Sequence, residues 1–171
     1  MPWTTPTNRS TGDLITAAIW NQDVVDNSKF LHDRPTQLLI PPDTYNFTLG
    51  DWQAREFTGN GTASFRFRAP ADFAALSALK ALVIPNGTGT ITGLSLNSDY
   101  GAEGEAYNQH SGAASGVSLG VTSGILKVWD LSGLGLLSSL AAGDYVGLKI
   151  TTSFGTFSAG MPFLIVEYTR S

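Results

Sequence analysis

Two groupings in the chain hold residue types that carry out chemistry, and both are weak. Glu103, Glu105 and His110 stand as E-x-E-x-x-x-x-H, with Asp99 and Tyr107 close by. Carboxylate oxygens and an imidazole nitrogen are ligands for divalent metals. The spacing, however, follows no recognised ligand pattern, and the surrounding glycines would hold such a set too loosely. The stretch from Asn97 to Gly120 therefore reads as a solvated or inter-subunit loop without a metal. The other histidine, His32, precedes Asp33 at the end of a helical pattern, where an imidazolium favours the carbonyl end of the helix dipole. That is a structural or surface position. The second grouping, Gly87-Thr88-Gly89-Thr90-Ile91-Thr92-Gly93, looks superficially like a phosphate loop, but it has no lysine and opens no helix, so it reads as a hairpin.

No G-x-S-x-G elbow, H-E-x-x-H pair or P-loop is present. Carboxylate pairs for glycoside cleavage can come from distant strands, so spacing alone leaves that chemistry open. The reading is of a non-enzyme, with no catalytic residue, cofactor or metal.

The stretch that carries the most specific signal is Thr11 to Leu31. Thr16 suits an N-cap, since its hydroxyl can accept a bond from a free N–H of the first turn. Ala17, Trp20, Val24, Asn27 and Leu31 then recur at alternating spacings of three and four, the rhythm of a helix that buries one stripe. Arg34-Pro35 ends it, because a residue before proline is pushed out of the α region. Such a helix is roughly 25 Å long and too short to stand alone, so its stripe must dock on something. Upstream, Met1 to Ser10 has prolines, polar residues and Trp3, and cannot bury a core of its own. A Trp on such an arm is a candidate anchor for a neighbouring subunit. The predicted oligomer and attachment interface is Trp3, Ala17, Trp20, Val24, Asn27 and Leu31.

The same residues carry a family likeness. Trp3 flanked by prolines, the run Gly12 to Asn21, then Asp26-Asn27 and Phe30-Leu31 resemble the N-terminal segment of many tailed-phage virion proteins. In those proteins a "G-x-x-x-T-A-x-x-W/L-N … D-N-x-x-F/L" string precedes a β-rich domain. The resemblance covers about the first 35 residues; Gly143 to Ile150 and Val166 to Tyr168 look in a general way like the closing strands of the same proteins. It implies a virion component, which can be a capsid decoration protein, a neck or tail appendage, or a fibre tip.

Composition agrees with a β-rich chain. Of 171 residues, 42% are hydrophobic and only 14% charged, about half the usual share, with 19 glycines to make turns. Sparse charge leaves neutral surface of the kind an obligate oligomer hides. A net charge of −4 argues against nucleic-acid binding, which wants a basic face. There are no cysteines, so disulfides and thiolate metal sites are excluded. The first ten residues show no signal peptide, and no apolar run approaches the roughly 20 residues that span a bilayer, so no membrane partner is expected. Four N-x-S/T strings, at Asn8, Asn46, Asn60 and Asn86, read as chance in a Thr-rich sequence.

Along the chain, the expected organisation is an arm and docking helix over 1–35, a proline-rich linker or edge strand over 36–43, and a β domain over 44–171. Phe65 and Phe67 alternate with Arg66 and Arg68, the clearest half-buried strand. Pro70 and the Ala/Leu run predict a short helix over Ala71 to Leu79. Leu131 to Leu140 predicts a second short helix or crossover. Phe65, Phe67, Val83, Ile84, Leu148, Ile150, Leu164 and Val166 are the predicted core. About eight strands spaced roughly 10–12 residues apart predict an all-β fold: a jelly-roll-like β-sandwich preceded by an extended N-terminal arm and one helix. The leading expectation is a homotrimeric capsid decoration or cement protein located in the virion, partnered by the major capsid protein or other virion proteins. The alternative is a trimeric tail or neck appendage whose loops, with Tyr100 and Tyr107, bind host glycan.

Overall fold

A computed structural model describes residues 5, 14–32, 34–59, 61–152 and 156–171, the side chain of His32 excepted. The predicted N-terminal arm with Trp3 lies, apart from Thr5, outside the described residues.

The chain first forms a helical run: α1 (Ala17–Trp20), a π-helical segment (Asn21–Asp26) and α2 (Asn27–His32). The strands follow: β1 (Thr36–Ile40), β2 (Phe47–Leu49), β3 (Trp52–Glu56), β4 (Thr62–Arg68), β5 (Phe73–Pro85) and β6 (Gly89–Gly101). After these come β7 (His110–Val121), β8 (Lys127–Asp130), β9 (Tyr145–Thr151), β10 (Ala159–Met161) and β11 (Leu164–Arg170).

Four antiparallel pairs are nested in the sequence: β1 with β11, β4 with β9, β5 with β8, and β6 with β7. Two further pairs, β5 with β11 and β6 with β9, join them into two sheets. One sheet contains β1-β11-β5-β8 and is extended through β10, β3 and β2; the other is β4-β9-β6-β7. A ribbon of nested pairs rolled into two sheets is the jelly-roll arrangement, and the chain is an all-β sandwich of that kind.

Alternation builds the core. In β9, Val146, Leu148 and Ile150 are buried while Tyr145, Gly147 and Lys149 are exposed. In β11, Leu164, Val166 and Tyr168 point inward. Both inner faces join one apolar cluster that includes Phe65, Leu79, Ile91 and Leu96. Seven of the eight predicted core residues are buried; Phe67, near the end of β4, is only half-buried and packs at the rim of the cluster. A smaller cluster at one end stacks Phe73 on Tyr168, with ring centroids 5.6 Å apart. Behind β7, Gly112 lets the backbone of Leu136 approach so closely that any Cβ would collide with it, and the Ser98 hydroxyl donates to the Leu136 carbonyl oxygen.

Several expectations are corrected. Ala71 to Leu79 is not a helix: Pro70 makes a turn, with Phe73 N–H bonded to its carbonyl at 3.1 Å, and β5 begins there. From Phe73 to Ala81, β5 bonds to β11, and that pairing overrides the helical preference of Ala and Leu; β8 joins the other side of β5 only from Lys80 to Val83. Asn97 to Gly120 is no long loop but the end of β6 and most of β7, joined by residues 102–109. The Gly87–Gly93 stretch is not a hairpin, because β5 and β6 belong to different sheets and residues 86–88 carry the chain between them. Between Leu131 and Leu140 only Ser132–Leu134 is helical, as one 3₁₀ turn. There the Ser132 hydroxyl, then its N–H at 2.9 Å, hold the Asp130 carboxyl below its ordinary range. Residues 36–40 take the edge-strand alternative, and Pro42 and Asp43 cross to the second sheet, where Asp43 N–H bonds the Ser64 carbonyl at 2.8 Å.

Phe65 is fully buried, so Phe65→Ala should cost about 3–5 kcal/mol in denaturant titration. Phe67→Ala should cost about half as much, since transfer free energy follows the apolar area removed from water. Equal costs would contradict the placement of Phe67 at the rim.

Candidate functional site

Two surfaces stand out, the N-terminal helix and the outer face of the four-stranded sheet. The helix starts as its sequence suggests, with the Thr16 hydroxyl accepting from Ile19 N–H at 3.3 Å. Among the described residues it makes no extensive contact with either sheet. Leu14 (82% exposed), Ile15, Trp20 (53%), Val24 (40%), Val25 and Leu31 (55%) leave a large apolar area open. Scattered exposed apolar residues are ordinary, but six between Leu14 and Leu31 are an unusual concentration.

The predicted stripe is modified in one respect. Ala17, Trp20, Val24 and Leu31 are exposed, but Asn27 is only 3% exposed. The π-helical turn from Asn21 to Asp26 widens the repeat, so the spacing of three from Val24 to Asn27 no longer keeps one face. Asn27 falls instead with the partly covered Ile19, Asp23 and Phe30, and its side-chain amide donates to the Asp23 carbonyl at 3.4 Å. The Arg34 guanidinium lies 5.9 Å from the Phe30 ring centre, closing the helix end. Trp3 lies outside the described residues.

The acid and histidine group does not converge. Among the described residues no three histidines or carboxylates come together as a metal site. Glu105 folds back to accept from Ala102 N–H at 2.9 Å, which fixes the β6–β7 turn. Tyr100 points inward; it is buried, its hydroxyl accepts from Ser139 N–H at 3.1 Å, and its ring lies 5.4 Å from that of His110. Tyr107 stands in the turn, 79% exposed.

The outer face of β4-β9-β6-β7 is the feature that local spacing did not reveal. It forms an open groove of about 1350 Å³, bordered by the β6–β7 turn. Strand register sets its floor in rows. Ser64, Lys149, Asn97 and Ala113 lie side by side across the four strands, and the next row is Arg66, Gly147, Asp99 and Ser111. Gly147 leaves a flat place at the centre: a Cβ there would meet nothing closer than the Asp99 carbonyl oxygen at 3.9 Å. Arg66 pairs with Asp43 at 2.9 Å. Arg68 donates to the Gly143 carbonyl at 3.1 Å and lies 5.0 Å from the centre of the half-exposed Tyr145 ring. The signal available in the sequence was the polar half of the alternation in β4 and β9, Arg66/Arg68 and Tyr145/Gly147/Lys149.

No family model matches the sequence, and no curated protein matches it. Similar folds occur among solved structures. A structure of the infectious bursal disease virus Gt strain aligns with a TM-score of 0.46 at 12% identity, over 81% of this chain and 34% of that one. The carbohydrate-binding module CBM36, in complex with calcium and xylotriose, aligns at 0.41 and 16% identity, over 77% of this chain and 98% of that one. An exo-β-1,3-galactanase from Phanerochaete chrysosporium aligns at 0.42 and 9% identity, over 78% of this chain and 29% of that one. The chain thus spans about a third of the viral protein's length. Likenesses of this degree carry no statement about function.

The Tyr100 hydroxyl is the acceptor tying the turn before Leu140 to β6. Tyr100→Phe should lower stability by about 0.5–1.5 kcal/mol, the usual net worth of one such bond, while leaving the circular dichroism of the sandwich unchanged. An unchanged denaturation midpoint would show that Ser139 N–H finds another acceptor at no cost.

Proposed function

We propose that this chain is a non-enzymatic structural protein of a tailed-phage virion, acting as a homotrimeric capsid decoration or cement protein. The observation that carries the proposal is the N-terminal helix, which offers Trp20, Val24 and Leu31 to a partner and ends just before the edge strand β1. Full burial of such a side chain is worth roughly 1.5–3 kcal/mol. Three half-exposed ones, repeated in each copy of a symmetric assembly, supply several kcal/mol. The phage-like string over the same residues supports a virion setting, and the sparse surface charge suits packing against copies and capsid neighbours. The Trp3 arm would tie the trimer to the major capsid protein or another virion protein.

A second reading, a trimeric tail or neck appendage that binds host glycan, is favoured by one observation, the groove lined by Lys149, Asn97 and Asp99 with Tyr145 and Tyr107 along its border.

The sandwich has its own core, and no strand precedes Thr36 among the described residues. A chain lacking residues 1–34 should therefore keep a cooperative thermal transition and β-type circular dichroism, yet fail to add back to particles stripped of this protein. Trp3→Ala should weaken add-back without moving the melting temperature. Full add-back by the truncated chain would place attachment in the sandwich loops and reject the decoration reading.

A further inference from the structure

We infer that the groove on the outer face of β4-β9-β6-β7 is a binding site for a neutral oligosaccharide chain. The inference rests on the second reading above and gives it a location and a ligand class. Three properties of the groove lead to it.

The first is charge. Arg66, Arg68 and Lys149 face Asp43, Asp99 and Glu105 around one concavity, so the site is balanced. A polyanion such as nucleic acid needs a surplus of cations, and an acidic saccharide needs an unopposed one. Neither condition is met here.

The second is the pattern of donors and acceptors. Arg66 and Glu105 are partly engaged within the protein. Lys149, Asn97 and Asp99 stand exposed on adjacent rows, with an ammonium donor, a two-way amide and a carboxylate acceptor within one patch. A sugar hydroxyl both donates and accepts, so a polyhydroxyl ligand can use all three together. A peptide is usually held by a bare strand edge or apolar pockets. The groove floor is the middle of a sheet, where β9 and β6 are paired on both sides, and its outward residues are polar or small.

The third is shape. Gly147 makes the centre flat, and Tyr145, steadied by Arg68, raises a half-exposed ring at the border. An aromatic face beside a polar floor suits a pyranose, which is apolar on its C–H faces and polar around its edge. Four strands about 4.8 Å apart give a floor roughly 14 Å wide. The volume exceeds the roughly 300–1,000 Å³ typical of small-molecule sites, which fits a chain of several rings rather than a single sugar.

Gly147 also supplies a clean test. Its backbone is not in the left-handed region and its Cβ position is open, so Gly147→Phe fits the strand and fills the groove floor without disturbing the core. The full chain is screened on an array of neutral and acidic oligosaccharides, and the strongest binder is titrated by calorimetry against the native protein, Gly147→Phe, Asp99→Asn and Tyr145→Ala. The expected result is binding of neutral chains of several rings. Gly147→Phe should weaken it by at least about tenfold, equivalent to 1.4 kcal/mol, with an unchanged melting temperature. Asp99→Asn and Tyr145→Ala should each weaken it as well. Unaltered binding by Gly147→Phe overturns the groove assignment while leaving a glycan-binding appendage in place. Binding confined to acidic glycans overturns the ligand class. No binding on the array overturns both this inference and the second reading.

Discussion

The structure depends on the antiparallel pairing of β1 with β11, the first strand with the last. Thr36 to Ile40 runs against Leu164 to Tyr168, and β11 is thereby held between β1 and β5. That position explains why Leu164 and Val166 are buried and why Pro41 and Pro42 follow directly: β1 is an edge, and proline is tolerated there. The other three nested pairs fall inside this outermost one. Contacts so distant in sequence close large loops before any gain is realised, so the fold is expected to form slowly for its size. The outermost pair also fixes where the N-terminal helix leaves the sandwich, immediately beside the last strand.

The two sheets use their alternation differently. The inner residues of both meet in one core, led by Phe65, Leu148, Ile150 and Leu164. The outer face of the larger sheet carries its own ion pair, Lys80 with Glu167 at 2.9 Å, and Gln37 reaches the same carboxylate. The outer face of the smaller sheet is concave and keeps Lys149, Asn97 and Asp99 exposed. The exposed apolar residues of the helix and the exposed polar residues of the smaller sheet thus belong to separate elements of the chain.

Much of this was legible in the sequence where period and burial agree. The alternation of Phe65 and Phe67 with Arg66 and Arg68 reads directly as the half-buried strand β4, and the fold class follows from the number and spacing of the expected strands. The errors have physical causes. Phe73 to Leu79 looks helical by local preference, but its backbone pairs with β11. Ser111 to Gly120 looks like a loop because β7 is an edge strand whose small residues give little apolar contrast. Asn27 left the helix stripe because a π-helical turn changes the period, which spacing rules built on 3.6 residues do not anticipate. The groove was hidden for a different reason: its residues come from four strands and meet only through register.

Assembly through the exposed helix, as proposed, is read from the solution mass of the 171-residue chain. Light scattering at micromolar concentration should give three times the 18.1 kDa chain mass. The variant Trp20→Glu/Val24→Glu/Leu31→Glu, altered only at exposed positions, should run as a monomer with an unchanged melting profile of the sandwich. A native protein that remains a monomer of 18.1 kDa, or a variant that remains a trimer, would rule out assembly through the helix.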